Sequence, residues 1–116
     1  MREEYIDKID KELERDIREF RDDEDLIDIL SQIFKSLSDP TRLKIIYALS
    51  KGELCVSDIS LLLDMSQSSI SHQLAFLRGQ RLIKVRRIGR RAYYSLDDEH
   101  VFCIFKDGID HAMHKL

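Results

Sequence analysis

Residues 57–96 read SDISLLLDMSQSSISHQLAFLRGQRLIKVRRIGRRAYYSL. The spacing of apolar side chains changes once within this stretch, and that change decides the fold. Ser57 to Leu63 has the composition of one short helix, and Asp64-Met65-Ser66 forms a tight connection. Ser66 suits the N-cap of a second helix running to about Gln80, with Ile70, Leu74 and Leu77 on its inner face. From Ile83 the period falls from near four to two. Ile83–Ile88 and Arg91–Leu96 alternate as strands do, with Gly89 between them.

Two short helices followed at once by a basic hairpin predict a winged helix-turn-helix. Upstream, Ser38-Asp39-Pro40 opens another helix: Asp39 can cap it, and Pro40 suits its first position, where no amide bond is lost. That helix runs through Leu43, Ile46 and Leu49 to about Ser50, and Lys51-Gly52 stops it. A helix before it would bury Leu26, Leu30, Ile33 and Leu37. Residues 3–20 form an amphipathic helix with Ile6, Ile9, Leu13, Ile17 and Phe20 in one stripe, ending at the RDDED break of residues 21–25. Beyond Asp97 the helical period returns through Val101, Ile104, Phe105, Ile109 and Ala112.

The expected architecture is mainly α with a small β-hairpin, in one domain of 116 residues. Its parts are an N-terminal dimerisation helix over 1–22, the helix-turn-helix over 57–80, the wing over 83–96 and a C-terminal dimerisation helix over 97–116. No apolar run approaches the ~18 residues of a membrane span. The acidic start MREEYIDKID is not a signal peptide. Two cysteines without a secretory signal point to the reducing cytoplasm.

The net charge of −3 conceals an asymmetry. Residues 1–28 hold 6 basic and 13 acidic side chains, residues 29–96 hold 11 and 4, and residues 97–116 hold 2 and 5. A basic middle between acidic ends can attract phosphates, although patchy charge is also common on solvated surfaces. In the second helix of the pair, Ser68 and His72 lie opposite the apolar face. Ser69 and Ser71 flank them, and Gln67 occupies the first turn. Gln can pair with adenine, and serine can reach bases or phosphates. A serine-rich start is also an ordinary helix cap. The hairpin favours the first reading, because Arg86, Arg87, Arg90 and Arg91 crowd around Gly89 with nothing to gain from packing. Double-stranded DNA accounts for them as phosphate or minor-groove contacts, with a charged edge that discourages aggregation as the rival.

Three of the four histidines lie in the last 17 residues. Asp98 and His100 stand at the start of the last helix, and His111 and His114 share a face near its end. Zinc takes imidazole nitrogen and carboxylate oxygen, usually as a tetrahedron. An 11-residue separation places the two pairs about 16 Å apart along a helix, so one helix cannot close the site. Two antiparallel copies can, and a two-fold homodimer then holds two ions. Such N and O donors suit zinc or cobalt, and four protein ligands leave no position open for catalysis, so an enzyme is not expected.

The motifs DPTRLKI, GELCVSDI, SQSSISHQL and YYSLDD resemble those of the ArsR/SmtB metal-sensing repressors, over about residues 26–116. The pattern D-x-H-x10-H-x2-H is similar to that family's inter-subunit zinc site and falls on Asp98, His100, His111 and His114. The resemblance implies a homodimer that leaves its operator when zinc or cobalt arrives. It also implies a coupling link from His111 to the backbone near Arg81. A second, thiol-based site of the family needs ELCVCD, whereas this chain reads ELCVSD, so Cys55 is expected to be a small buried residue and Cys103 to pack in the last helix. The alternatives are a winged-helix regulator answering another signal with a purely structural metal, a metal-dependent hydrolase, and an interaction module built on the acidic first helix.

Overall fold

A computed structural model describes residues 9–116, so Ile6 and the rest of residues 1–8 lie outside the described residues. The elements run α1 (Lys11–Asp22), α2 (Glu24–Leu37), α3 (Pro40–Lys51), α4 (Val56–Leu63), α5 (Gln67–Gly79), β1 (Ile83–Ile88), β2 (Arg91–Leu96) and α6 (Glu99–Met113). The chain divides into two compact units, one up to Phe34 and one from Lys35 onward.

In the first unit, Asp10 accepts the Glu12 and Leu13 amides and starts α1. The break expected over residues 21–25 narrows to Asp23, because its carboxylate accepts the Leu26 amide at 3.1 Å and restarts the helix at once. Ile9, placed in the stripe of a helix over 3–20, precedes the Asp10 cap and lies outside α1; it and the stripe residues Leu13, Ile17 and Phe20 are all exposed among the described residues. Of the stripe foreseen for α2, Leu26 is exposed, Leu30 and Ile33 are half-buried and Leu37 is buried.

In the second unit, helix ends follow from local capping. Asp39 accepts the Arg42 amide at 3.0 Å, with Pro40 in the first turn of α3. Ser66 accepts the Ser69 amide at 3.1 Å and starts α5. Between α4 and α5, Asp64 takes the left-handed conformation (φ 54°), and the Ser60 hydroxyl donates to the Met65 carbonyl. The core comprises Ile45, Ile46 and Leu49 of α3, Ile59 of α4, Ile70, Leu74 and Leu77 of α5, and Ile83 of β1. Each such side chain contributes about 1.5–3 kcal/mol on burial. Leu43, expected to face inward, is exposed, and Ile45 takes the buried position.

The strands occupy the foreseen ranges and pair antiparallel, from Ile83 opposite Leu96 to Ile88 opposite Arg91. Gly89 takes φ 60° and Arg90 does not share a positive φ, the pattern of a tight turn with glycine first. Leu54 bonds Tyr94 in both directions, at 2.8 and 3.1 Å, on the free edge of β2. That bridge ties the wing to the loop between α3 and α4, a contact that no local pattern announces.

Candidate nucleic-acid interface and metal centre

The first turn of α5 is polar and open because its apolar residues all turn the other way. Ile70, Leu74 and Leu77 are fully buried, whereas Gln67, Ser68, Ser71 and His72 are exposed and Ser69 is half-buried. The Ser66 side chain is committed to the cap. The serines after it are short, so the helix backbone can approach a groove closely. Arg81 follows α5 in the left-handed conformation (φ 59°), and its amide donates to the Arg78 carbonyl, which turns the chain into β1. Arg42 stiffens the unit from behind: its guanidinium lies 4.5 Å from the centre of the Phe76 ring and donates to the Ser36 carbonyl at 2.7 Å.

The four wing arginines are not equivalent. Arg86 makes a two-pronged ion pair with Glu53, through Nη2 to Oε1 at 2.8 Å and Nε to Oε2 at 3.1 Å. It also lies over the Tyr93 ring, 5.7 Å from its centre. Hydrogen bonding to Arg86 holds the Glu53 carboxyl below the ordinary glutamate range and raises Arg86 in turn. Arg91 turns toward Tyr93, and their hydrogen bond raises its pKa. Arg87 and Arg90 are exposed, and no carboxylate pairs with either among the described residues.

The four donors named for a metal occupy the two ends of α6. Asp98 is the N-cap and accepts the Val101 amide at 3.1 Å. Its Oδ1 lies 3.6 Å from Nδ1 of the exposed His100. The Val101 hydrogen bond, outweighing a smaller desolvation effect and aided by His100, lowers the Asp98 pKa. His111 lies in the last turn of α6 and His114 caps its C-terminus. Among the described residues, no three histidine, cysteine or acidic side chains come together as a cage within one chain. The donor chemistry fits a borderline divalent metal, with two ligands offered at each helix end.

The apolar face of α6 is divided between two duties. Val101 is buried in its own chain, and Phe105 packs edge-to-face on Tyr47 with ring centres 6.3 Å apart. Val101 therefore serves the internal core, whereas Phe105 stays half-buried against the exposed Tyr47. Phe102 and Ile104 remain exposed. Cys103 is exposed instead of packed, because the helix turns it away from that core, while Cys55 is buried as expected; both thiols are free.

The model of the bacterial regulatory proteins of the arsR family matches residues 39–85. A transcriptional repressor SmtB homolog of Synechocystis is 46% identical over 82 residues, covering 71% of this chain and 62% of the relative, less than two thirds of its length. The HTH-type transcriptional regulator NmtR of Mycobacterium tuberculosis is 38% identical over 85 residues, covering 73% of this chain and 71% of NmtR. The chain belongs to the ArsR family of bacterial regulatory proteins. A solved structure, the homodimeric winged helix-turn-helix DNA-binding domain Mb0332 of Mycobacterium bovis, described as a possible ArsR-family transcriptional regulator, superposes with a TM-score of 0.74 at 30% identity. It covers 78% of this chain and 83% of that one.

For an ArsR-family chain the mainly helical winged fold is therefore as the motifs implied. Sequence reasoning missed Glu53. Its only advance signal was being an acid in the basic segment, five residues upstream of the capping Asp58.

Proposed function

We propose that this ArsR-family protein is a metal-responsive transcriptional repressor acting as a homodimer on double-stranded operator DNA. In this reading residues 57–80 read the DNA and residues 83–96 steady it. Residues 1–22 and 97–116 join the two protomers. Gln67, Ser68, Ser69, Ser71 and His72 face base edges and phosphates, and Arg87 and Arg90 lead the wing's phosphate contacts ahead of Arg86 and Arg91. Asp98 and His100 of one protomer and His111 and His114 of the other would hold zinc, with cobalt acceptable to the same donors, at two sites per dimer. The free thiols suit a reducing cytoplasm.

The observation that carries this reading is the separation of the donors. Two pairs of ligand side chains lie at opposite ends of α6, and the described residues bring no third donor to either pair. Ligand sets of this kind are completed by a second, antiparallel copy. The uncovered Phe102 and Ile104 on α6, and the uncovered stripe of α1, provide apolar surface for such an assembly. The neighbours' descriptions, as a repressor, a transcriptional regulator and a homodimeric DNA-binding domain, support the same assignment.

Bound metal supplies fixed cross-links between protomers. Two recognition helices must span successive major grooves about 34 Å apart, so a cross-link that favours another separation lowers DNA affinity. His111 would couple the sites by donating its second ring N–H to backbone near Arg81, at the end of α5. The test is zinc titration against a fluorescent duplex carrying the DNA upstream of this protein's own gene. Zinc should release the duplex from the native chain but not from His111→Ala. Equal DNA affinity with and without bound zinc would reduce the metal to a structural role and defeat the proposal.

A further inference from the structure

We propose that Glu53 is an internal competitor for nucleic acid, whose carboxylate occupies Arg86 and holds down the protein's sequence-independent affinity for DNA. The inference rests on the DNA-binding reading above.

Strand register puts the two residues together. Leu54 bridges Tyr94, so Glu53 falls opposite Ser95 on the sheet face that also carries Tyr93 and its cross-strand partner Arg86. From the loop before α4, Glu53 reaches across β2 to Arg86 on β1 and meets both prongs of the guanidinium. The Tyr93 ring restrains the cation from below. Residues 29–96 hold four acids. Asp39 and Asp58 are spent on capping α3 and α4, and Asp64 makes the left-handed turn after α4. Glu53 alone of the four has no such duty.

An exposed ion pair adds little to stability, which leaves its effect on binding. A phosphate oxygen has the same geometry as this carboxylate and would use the same fork on Arg86. While Glu53 holds that fork, Arg86 releases no counterion when DNA binds. Arg87 and Arg90 carry no such partner among the described residues and stay available. A repressor must find one operator among many competing sites, so removing one phosphate contact from a four-arginine wing weakens its retention on those competing sites.

Carboxylate hydrogen bonding to Arg86 also keeps Glu53 ionised below the ordinary glutamate range. The competitor is therefore present throughout the neutral range.

The test is the salt dependence of binding to a random-sequence duplex of about 30 base pairs, measured by fluorescence anisotropy on the full chain without metal. Glu53→Gln should steepen the slope of log K against log salt by about 0.9. It should also bind about eightfold more tightly than the native chain at 0.1 M salt, taking the two to converge near 1 M. Glu53→Gln/Arg86→Gln should return to the native slope. Asp107→Asn, the same charge change on α6, should leave the slope unaltered. Glu53→Ser repeats the experiment without an amide able to hold Arg86, and thermal unfolding checks that each variant is folded. Identical slopes for the native chain and both Glu53 variants, or weaker binding by them, would overturn the inference. A native chain without salt-dependent DNA binding would instead remove the reading beneath it.

Discussion

The first turn of α5 and the two ends of α6 carry this protein's two polar constellations, and they differ in what gathers their members. Around α5 and the wing, one chain does everything. Ile70, Leu74 and Leu77 turn inward, so the residues between them turn out, and a two-residue turn at Gly89 places Arg87 and Arg90 at the tip. On α6 the helix works against assembly. It holds His100 about 16 Å from His111 by its rise alone, with Asp98 farther still at the N-cap. A helix can thus display a surface by itself, but it cannot by itself make a cage from residues eleven apart.

Substitutions can break or sharpen this contrast. The largest effect belongs to the self-sufficient region. Leu74→Ala should cost about 2–5 kcal/mol in denaturant unfolding at fixed protein concentration and leave the dimer dissociation constant unchanged. Ile104→Ala, on the partly exposed face of α6, should instead weaken self-association, read by sedimentation, because its side chain is not buried within its own chain. Like behaviour of the two variants would erase the distinction.

Metal binding sharpens it next. His111→Ala should lower zinc affinity by more than the roughly 10–100-fold cost of losing an outer-shell partner, read by chelator competition. Metal-free DNA affinity should stay unchanged. A mixed dimer of His111→Ala and Asp98→Ala chains offers a stricter trial. If the pairs join across protomers, one site in that dimer is intact and zinc binding returns at half stoichiometry. If each chain closed its own site, none would return.

A smaller effect attends the start of α5. Ser66→Ala removes the acceptor for the Ser69 amide and should cost about 1 kcal/mol, weakening DNA binding without touching zinc affinity. The smallest is the pH response of the α6 cap. Asp98 has a depressed pKa when folded, first through the Val101 amide, so its contribution is complete above the ordinary aspartate value and is lost as pH falls through the lowered one. Circular dichroism should therefore show the α6 cap intact between neutrality and about pH 5. Zinc affinity should already weaken over that range, because imidazole must shed its proton to bind metal.

Glu53 and Val101 mark where local reading stops. Both strands, the caps at Asp39 and Ser66 and the buried face of α5 follow from short-range rules, since periodicity and capping act over three or four residues. The pairing of Glu53 with Arg86 spans 33 positions and depends on the Leu54–Tyr94 bridge. The α6 stripe showed that Val101 would be covered, but not by what. Tertiary packing buried Val101, set the half-buried Phe105 against Tyr47 and left Ile104 exposed.

The sequence by itself determined the order of the elements, the caps at Asp39 and Ser66, the basic middle, and the identity and spacing of the four proposed metal donors, because these depend on side-chain chemistry within a few turns of backbone. Only the tertiary structure decided which wing arginines are already engaged, which face of α6 is spent internally, and that no donor cage closes among the described residues. Those outcomes depend on distances between segments remote in the chain, and such distances are set by how the core packs.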